Sequence, residues 1–501
     1  MPSSKRSCTL KILDEVNCVF VGLHPDHVGY LYEDFAVFAP NYFFNPKYKL
    51  GSWDGKIRFF HKTGTTHVNL LEEIVPKVVA LGYNIKIIDQ RADRSVHPTP
   101  VDEDYFSDTL TREGEPWKMR DYQIEMVNIL MEEGGGVGVA GTGAGKTSMC
   151  AAIAIAYERA AKYRSIIIVP DKNLTSQTRR EYEYFNVDAG EYSGTCKDVD
   201  HQHVVSTWQA LQNNPAIIQQ FQVVIVDECH GLKGQVLTKI LNEYGKNIVH
   251  RFGVTGTLPK EETDRMAVTI AVGRKHYEIP AWKLIEQGYL ANAHIDVMQL
   301  EVNYKKEYAD FCEHQAPTEK KLTYIQFKDQ YLPDWVSEKR FLQSENERLE
   351  WIASYIALRG DEKKGNVLCL VNGVAFGKRL VKLIPDAVFV HGKDDMKVRE
   401  EIYGLFATNE NIIVLATIHI ASTGLDIPRI FNLMFIDAGK SFIRVIQSIG
   451  RGLRKAKDKD SVLITDIASD LKYSKKHLAE RIKYYKEAKY PYKKRKVDYY
   501  Y

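Results

Sequence analysis

Cysteine is sparse in this chain of 501 residues. Cys8, Cys18, Cys150, Cys196, Cys229, Cys312 and Cys369 are scattered, and no two form a C-x-x-C pair. This excludes a disulfide framework and the ligand spacing of structural zinc, and it points to a reducing compartment. Long hydrophobic runs are missing as well. No apolar stretch approaches the ~18 residues needed to cross a bilayer, and the N-terminus lacks the apolar core of a secretory signal. A soluble, cytoplasmic protein with no membrane partner is expected. There is no low-complexity tract and little net charge, +3 at neutral pH. What the chain does have is apolar composition, 44%, enough for large cores. At roughly 150 residues per domain, its length predicts about three of them.

The most specific local pattern is A-G-T-G-A-G-K-T-S from Ala140 to Ser148. Gly141, Gly143 and Gly145 free the backbone N–H groups of Thr142, Ala144 and their neighbours to wrap a polyphosphate. Lys146 neutralises its outer charges, and Thr147 offers a hydroxyl to magnesium. The alanine-rich run Met149 to Ala156 then suits a helix whose N-terminal dipole faces the phosphates. The glycine-rich stretch Gly134 to Val139 before the loop reads as a short, weak strand. ATP and Mg2+ are therefore the expected cofactors.

Further on, Phe221 to Val226 is a nearly unbroken apolar run, as expected for a parallel strand covered on both faces. It ends in Asp227-Glu228-Cys229-His230. At the carboxyl end of such a strand, Asp227 can hold the hydrated magnesium and Glu228 can orient the attacking water. Near the end of the chain, Gln447 to Arg454 reads Q-S-I-G-R-G-L-R. Arg451 and Arg454 stand three apart, on one helix face, where guanidinium groups from a second domain can stabilise the charge that develops on the transferring phosphoryl group.

In this order the motifs resemble those of a superfamily 2 helicase of the DExH kind, and the resemblance implies two tandem RecA-like, doubly wound α/β domains. It also implies roles residue by residue. Arg120 and Gln123, in Arg120 to Gln123, match the adenine-reading segment; Pro170 and Gln177 match the first strand-contacting motif, and Thr207 and Gln209, in Ser206 to Gln209, the next one. His230, Thr255, Thr257 and Gln447 match positions that couple the nucleotide to the strand. Ser422 to Pro428 matches the motif of the second domain in which Thr423 touches nucleic acid and Gly424 and Asp426 face the nucleotide. Two positions depart from the common pattern. Gly256 stands in the middle of the coupling motif, where alanine is frequent, and Ser448 replaces an arginine.

Outside the motor, Tyr48 to Arg58 (Y-K-L-G-S-W-D-G-K-I-R) resembles the signature of the small N-terminal domain of the phage UvsW-like recombination helicases. Trp53, Lys56 and Arg58 are then candidates for DNA contact, where Lys47, Lys49, His61 and Lys62 also surround Phe59 and Phe60; the alternative is that Trp53 and Phe59 are core and the lysines only solubilise. The resemblance implies a monomer working three-prime to five-prime on branched DNA, in junction migration, fork regression and R-loop unwinding, alongside recombination proteins. Three other readings stand beside it: an RNA helicase, a translocase that remodels protein–DNA complexes, and a nucleotide-gated binding module. No further carboxylate–lysine cluster suggests a nuclease.

The expected layout is a small α+β domain over residues 1–95, a polar linker over 96–114 able to absorb a cut, a motor domain over 115–280 and a second over 281–501. The N-terminal domain should hold a hairpin (Lys56 to His61, then Thr66 to Val68) and a helix capped by Gly82, with Pro76 in its first turn. Residues 304–343 should be inserted helices. The tail from Lys475 to Lys496 carries ten Lys/Arg against Glu480 and Glu487, hence +8, and leaves −5 for the remainder. Tyr484, Tyr485, Tyr490 and Tyr492 interleave it. That pattern suits phosphate contact with base stacking, or a solvated helix end.

Overall fold

The computed structural model describes residues 6–91, 96–111, 114–233, 235–314, 323–330, 332–361, 365–394, 396–418, 429–439, 449–450, 452–453, 455–456 and 458–500. The chain divides between Ile279 and Pro280 into two compact units.

The first unit begins with β1 (Arg6–Ile12), β2 (Asn17–Val21), β3 (Ala36–Phe38), β4 (Lys56–Arg58), β5 (Thr65–His67) and β6 (Tyr83–Asp89). Alternation in β1 and β2 buries Cys8, Leu10, Ile12, Cys18 and Phe20 on one face, as a sheet with one covered side requires. The sheet order is β5-β2-β1-β6, and β3 pairs separately with β4. The expected hairpin therefore does not form. Its first arm pairs with Ala36–Phe38 and its second with Asn17–Val19, because the strand partners come from elsewhere in the chain. Helix Leu71–Ala80 ends at Leu81 and Gly82, whose φ is 86°. Pro76 lies inside this helix rather than in its first turn. Ile74 and Val78, both fully buried, hold it against the sheet, and packing outweighs the one lost hydrogen bond.

The motor half of this unit is a seven-stranded parallel sheet in the order β13-β7-β12-β11-β8-β10-β9. Its strands are β7 (Gly135–Ala140), β8 (Ser165–Val169), β9 (Ala189–Tyr192), β10 (His203–Thr207), β11 (Val223–Asp227), β12 (His250–Thr255) and β13 (Lys275–Ile279). The glycine-rich β7 is a full member of the sheet. The missing side chain at Gly138 lets Met126 of helix Asp121–Glu132 pack directly onto it.

Two segments bind this motor sheet to what precedes it. The stretch read as a linker is packed down: Val101 and Phe106 are buried, Phe106 meets Trp117 and Phe185, and Val101 exchanges two hydrogen bonds with Asn128. Its polar composition hid the few apolar residues that anchor it. The N-terminal domain, in turn, rests on helix Glu262–Val272. Ile270 of that helix sits in the N-terminal core with Met266 beside it, Asn69 Nδ2 donates to the carbonyls of Thr269 and Ile270 at 3.0 and 3.2 Å, and Glu72 pairs with Arg274.

The second unit is another seven-stranded parallel sheet, in the order β16-β17-β15-β18-β19-β14-β20. It is made of β14 (Asn292–Glu301), β15 (Val367–Val371), β16 (Val388–Val390), β17 (Ile413–Thr417), β18 (Asn432–Ile436), β19 (Ser461–Ser469) and β20 (Tyr492–Asp498). Helices Tyr304–His314, Tyr324–Gln330 and Trp335–Ser344 occupy the inserted stretch. The tail is not a free arm. It forms helix Lys472–Glu487 and edge strand β20, and Tyr484, Tyr485 and Tyr490 are buried. Those tyrosines serve the core and are closed to bases.

Candidate active site

The site is built at the carboxyl ends of β7, β11 and β12, which the parallel register brings level: Asp227 lies opposite Val254, and Thr255 opposite Val139. From β7 the chain runs through the loop Gly141 to Gly145 into helix Lys146–Ala161. Gly145 has φ 79°, a left-handed conformation that glycine adopts without steric cost. It points the first helical N–H groups into the loop. Thr147 is half-buried in the first turn, and Ser148 Oγ donates back to the Gly145 carbonyl at 2.7 Å.

Lys146 Nζ stands 3.3 Å from Glu228 Oε1. Glu228 itself has φ 50°, a strained value for a residue with a Cβ and of the kind held in place at reacting centres. On its other side, Glu228 Oε2 lies 3.1 Å from His230 Nδ1 and accepts from Thr255 Oγ1 at 3.1 Å. His230 Nδ1 is also 3.0 Å from that hydroxyl, and Thr255 reaches the Thr257 carbonyl at 2.9 Å. The carboxylate is thus tied directly to the motif that follows β12. Gly256 explains itself here. A Cβ at that position would lie 3.2 Å from Thr142 Oγ1 and 3.7 Å from Lys146 Nζ, so the motif presses against the phosphate loop and a side chain would crowd it.

The two acids titrate in opposite directions. Burial, then repulsion from Glu228, push Asp227 up to about 7. Burial also opposes ionisation of Glu228, yet Lys146 and His230 hold it well below the usual carboxylate range. One lysine serves two carboxylates, and among the described residues no side-chain cation pairs with Asp227. The hydroxyls of Thr142 and Thr257 are buried without partners. This oxygen-rich set, one positive charge short, fits magnesium. Asp227 and Thr147 would hold the ion, which would supply positive charge to the outer phosphate oxygens of ATP.

The remaining candidates fall into three groups. Gln123 is 2% exposed; its Oε1 accepts from Arg120 N at 3.0 Å and its Nε2 donates to Ala144 O at 2.8 Å. The amide is spent on bracing the loop. Tyr122, which the sequence motifs pass over, donates to the same carbonyl at 2.9 Å and accepts from Arg120 Nη1 at 2.9 Å. Only a buried polar residue next to Gln123 could have signalled it. Among the strand-contacting positions, Thr207 caps helix Trp208–Asn213 by accepting from Ala210 N. Gln177 Nε2 donates to Glu181, Pro170 is half-buried, and Gln209 is exposed. Thr423, Gly424, Asp426, Gln447, Arg451 and Arg454 lie outside the described residues.

In the N-terminal domain, Arg58 pairs with Asp54 at 2.5 Å and Glu33 at 2.9 Å, Lys56 with Glu33 at 3.3 Å, and Trp53 Nε1 donates to Lys56 O. Phe59 and Phe60 are core, in the N-terminal cluster with Phe20 and Leu70, and the Phe59 carbonyl accepts from Thr66 Oγ1 at 2.8 Å; for Phe59 this is the second of the two expected readings, and Phe60 leaves the DNA-facing surface. Phe43, Phe44, Tyr48 and Leu50 are exposed instead, beside Lys47 and Lys49.

Three family models match the chain: "Type III restriction enzyme, res subunit" over residues 116–260, "DNA helicase UvsW, N-terminal" over 17–89 and "Helicase conserved C-terminal domain" over 347–456. The ATP-dependent DNA helicase uvsW of Enterobacteria phage T4 is 24% identical over 93% of this chain and 94% of its own. The DNA 3'-5' translocase XPB2 of Sulfurisphaera tokodaii is 24% identical over 69% of this chain and 81% of its own. A DNA-bound structure of the ATP-dependent Type ISP restriction-modification enzyme LlaBIII shares the fold with a TM-score of 0.56 at 13% identity, over 85% of this chain and 36% of that one. Paired parallel sheets, a phosphate loop, the acid pair at a strand end and these matches define a superfamily 2 helicase, an ATP-dependent enzyme of DNA. Within that class the chain is UvsW-like, on its N-terminal segment and on its likeness over nearly the whole length.

Proposed function

We propose that this helicase uses ATP to remodel branched DNA in recombination and repair, by junction migration, fork regression and R-loop unwinding, moving three-prime to five-prime. The observation that carries the reading is the N-terminal domain. It matches the UvsW N-terminal model, it is seated on the helix that follows Thr257, and it shows solvent a cluster of aromatic and aliphatic side chains with lysines alongside. Such a surface can stack on unpaired bases at a branch while the lysines meet phosphates. Lys56 and Arg58 join it by exchanging Glu33 for a phosphate. The polarity follows that of the similar 3'-5' translocase XPB2.

In this mechanism Lys146 neutralises the outer phosphates, Asp227 and Thr147 would hold a magnesium ion that would add positive charge there, and Glu228 orients the attacking water. Arg451 and Arg454 stabilise the transition state, and Gln447, Gly424 and Asp426 serve the nucleotide. Thr255, through its bond to Glu228, reports the state of the phosphate to the chain beyond β12. Pro170, Gln177, Thr207, Gln209 and Thr423 grip the strand by its backbone, so stepping is indifferent to sequence. The working form is a monomer in the host cytoplasm, with recombination proteins as partners.

ATP turnover measured without nucleic acid and with single-stranded DNA, duplex, a four-way junction and RNA tests this. The junction is expected to stimulate most; equal stimulation by RNA overturns the branched-DNA reading. Arg451→Ala and Arg454→Ala should each lower turnover by ~10³-fold or more while ATP affinity changes little. Loss of affinity with turnover intact removes the arginines from this role.

A further inference from the structure

Helix Lys472–Glu487 and edge strand β20 enclose an open groove of about 590 Å³. Lys475, Lys476, Lys483, Lys486 and Lys494 line it over a floor that includes Ile482, and no carboxylate does. All five lysines are exposed. Their neighbours on the same segment have partners: Arg481 with Asp466, Arg495 with Asp296, Lys496 with Glu301, and Lys489 over the Trp282 ring. Among the described residues none of the five groove lysines takes part in an ion pair. Like charges repel, and the Lys483–Lys486 spacing of three residues costs the helix stability. Glu480 and Glu487, the two acids of the helix, stand against six Lys/Arg between Lys472 and Glu487, so the groove keeps a surplus of positive charge that an anionic ligand would offset.

We propose that this groove is a second grip on DNA, a track for the phosphodiester backbone that is separate from the strand-contacting motifs of the motor. The lysines from Lys475 to Lys486 are spread over roughly 16 Å of helix at 1.5 Å per residue. At 3.4 Å per phosphate along one strand, that is room for about five phosphates, facing four lysines of the helix and Lys494 of β20. Lysine suits the task, because a flexible point charge follows a backbone without demanding a fixed geometry. The apolar floor lets the lysine stems lie flat with their ammonium groups raised to the strand. The proposal rests on DNA being the substrate. It replaces stacking on Tyr484, Tyr485 and Tyr490, which are buried, by electrostatic contact.

Binding of the full-length protein to a fluorescent forked DNA between 50 and 200 mM salt tests it. Lys483→Gln/Lys486→Gln is compared with Lys493→Gln/Lys496→Gln, which removes the same charge outside the groove. With two phosphates no longer neutralised, the groove variant should show a log–log salt slope shallower by about 1.8 and weaker binding at low salt, while ATP turnover without DNA stays at the wild-type rate. The second variant should keep the wild-type slope. Equal flattening in both variants, or in neither, overturns the groove and leaves the DNA reading standing. Salt-independent or undetectable DNA binding by the wild type overturns the DNA reading, and the groove with it.

Discussion

Arg481 in the second unit is 1% exposed and donates twice to Asp466, at 2.8 and 2.7 Å, with Tyr485 OH donating to the same carboxylate at 2.8 Å. Lys146 in the first unit pairs with Glu228; among the described residues no side-chain cation pairs with Asp227, and the buried hydroxyls of Thr142 and Thr257 have no partner there. Both clusters adjoin a parallel sheet and both bury charge. The first closes on itself: burial lowers the Arg481 pKa, but Asp466 more than offsets this and the guanidinium stays charged. The second is open, strained at Glu228 and short of positive charge. A buried ionic cluster that is complete fixes architecture, while one left incomplete is waiting for a ligand.

Substitutions should separate the two. Glu228→Gln removes the water-orienting carboxylate but keeps its shape, and stimulated ATP turnover should fall by ~10³-fold or more, about 4 kcal/mol at the transition state. The melting temperature should change little, since relief of the repulsion with Asp227 offsets the weakened contacts to Lys146 and His230. Arg481→Leu should do the reverse. It strands Asp466 and costs ~3–4 kcal/mol in a denaturation experiment, while Arg481→Leu/Asp466→Leu recovers most of that. Unchanged stability in the single variant would erase the distinction between the clusters.

A third test uses pH. Burial, and then the charge of nearby His61, push His67 down to about 4, against ~6.5 in the unfolded chain. The folded state therefore favours the neutral ring. The full stability is present above pH ~6.5 and is lost as pH falls through that value towards 4, by about 3 kcal/mol from this group. His67→Gln should flatten that part of the stability profile. The smallest effect is expected from Gly256→Ala. The new methyl presses on Thr142 and Lys146, and KM for ATP should rise by up to about tenfold, ~1.4 kcal/mol; an unchanged KM would show that the loop can yield.

What was legible in the sequence were patterns that carry their own geometry. The phosphate loop and the apolar strand ending in Asp227 follow from local spacing and periodicity, and the doubly wound sheets from the resemblance that the motifs carry. What was hidden were relations between distant segments. Alternation says that Lys56–Arg58 is a strand, not that its partner is Ala36–Phe38. Interleaved tyrosines and lysines look alike whether the rings face bases or a core, and here Tyr485 faces Asp466. Gln123 carries a nucleotide-reading motif, yet only the fold shows its amide spent on Ala144.

The seat of the N-terminal domain on helix Glu262–Val272 bears on how this enzyme can be dissected. That helix starts five residues after Thr257, and its Ile270 side chain is covered by residues from β1 to β6 and their helices. A cut at residue 95, natural as it looks in the sequence, would strip Ile270 and Met266 to water and leave a sticky scar on the back of the motor. Fragments for biochemistry should keep residues 6–279 together, and a foreign N-terminal module could be grafted on only if it brought its own cover for that apolar patch.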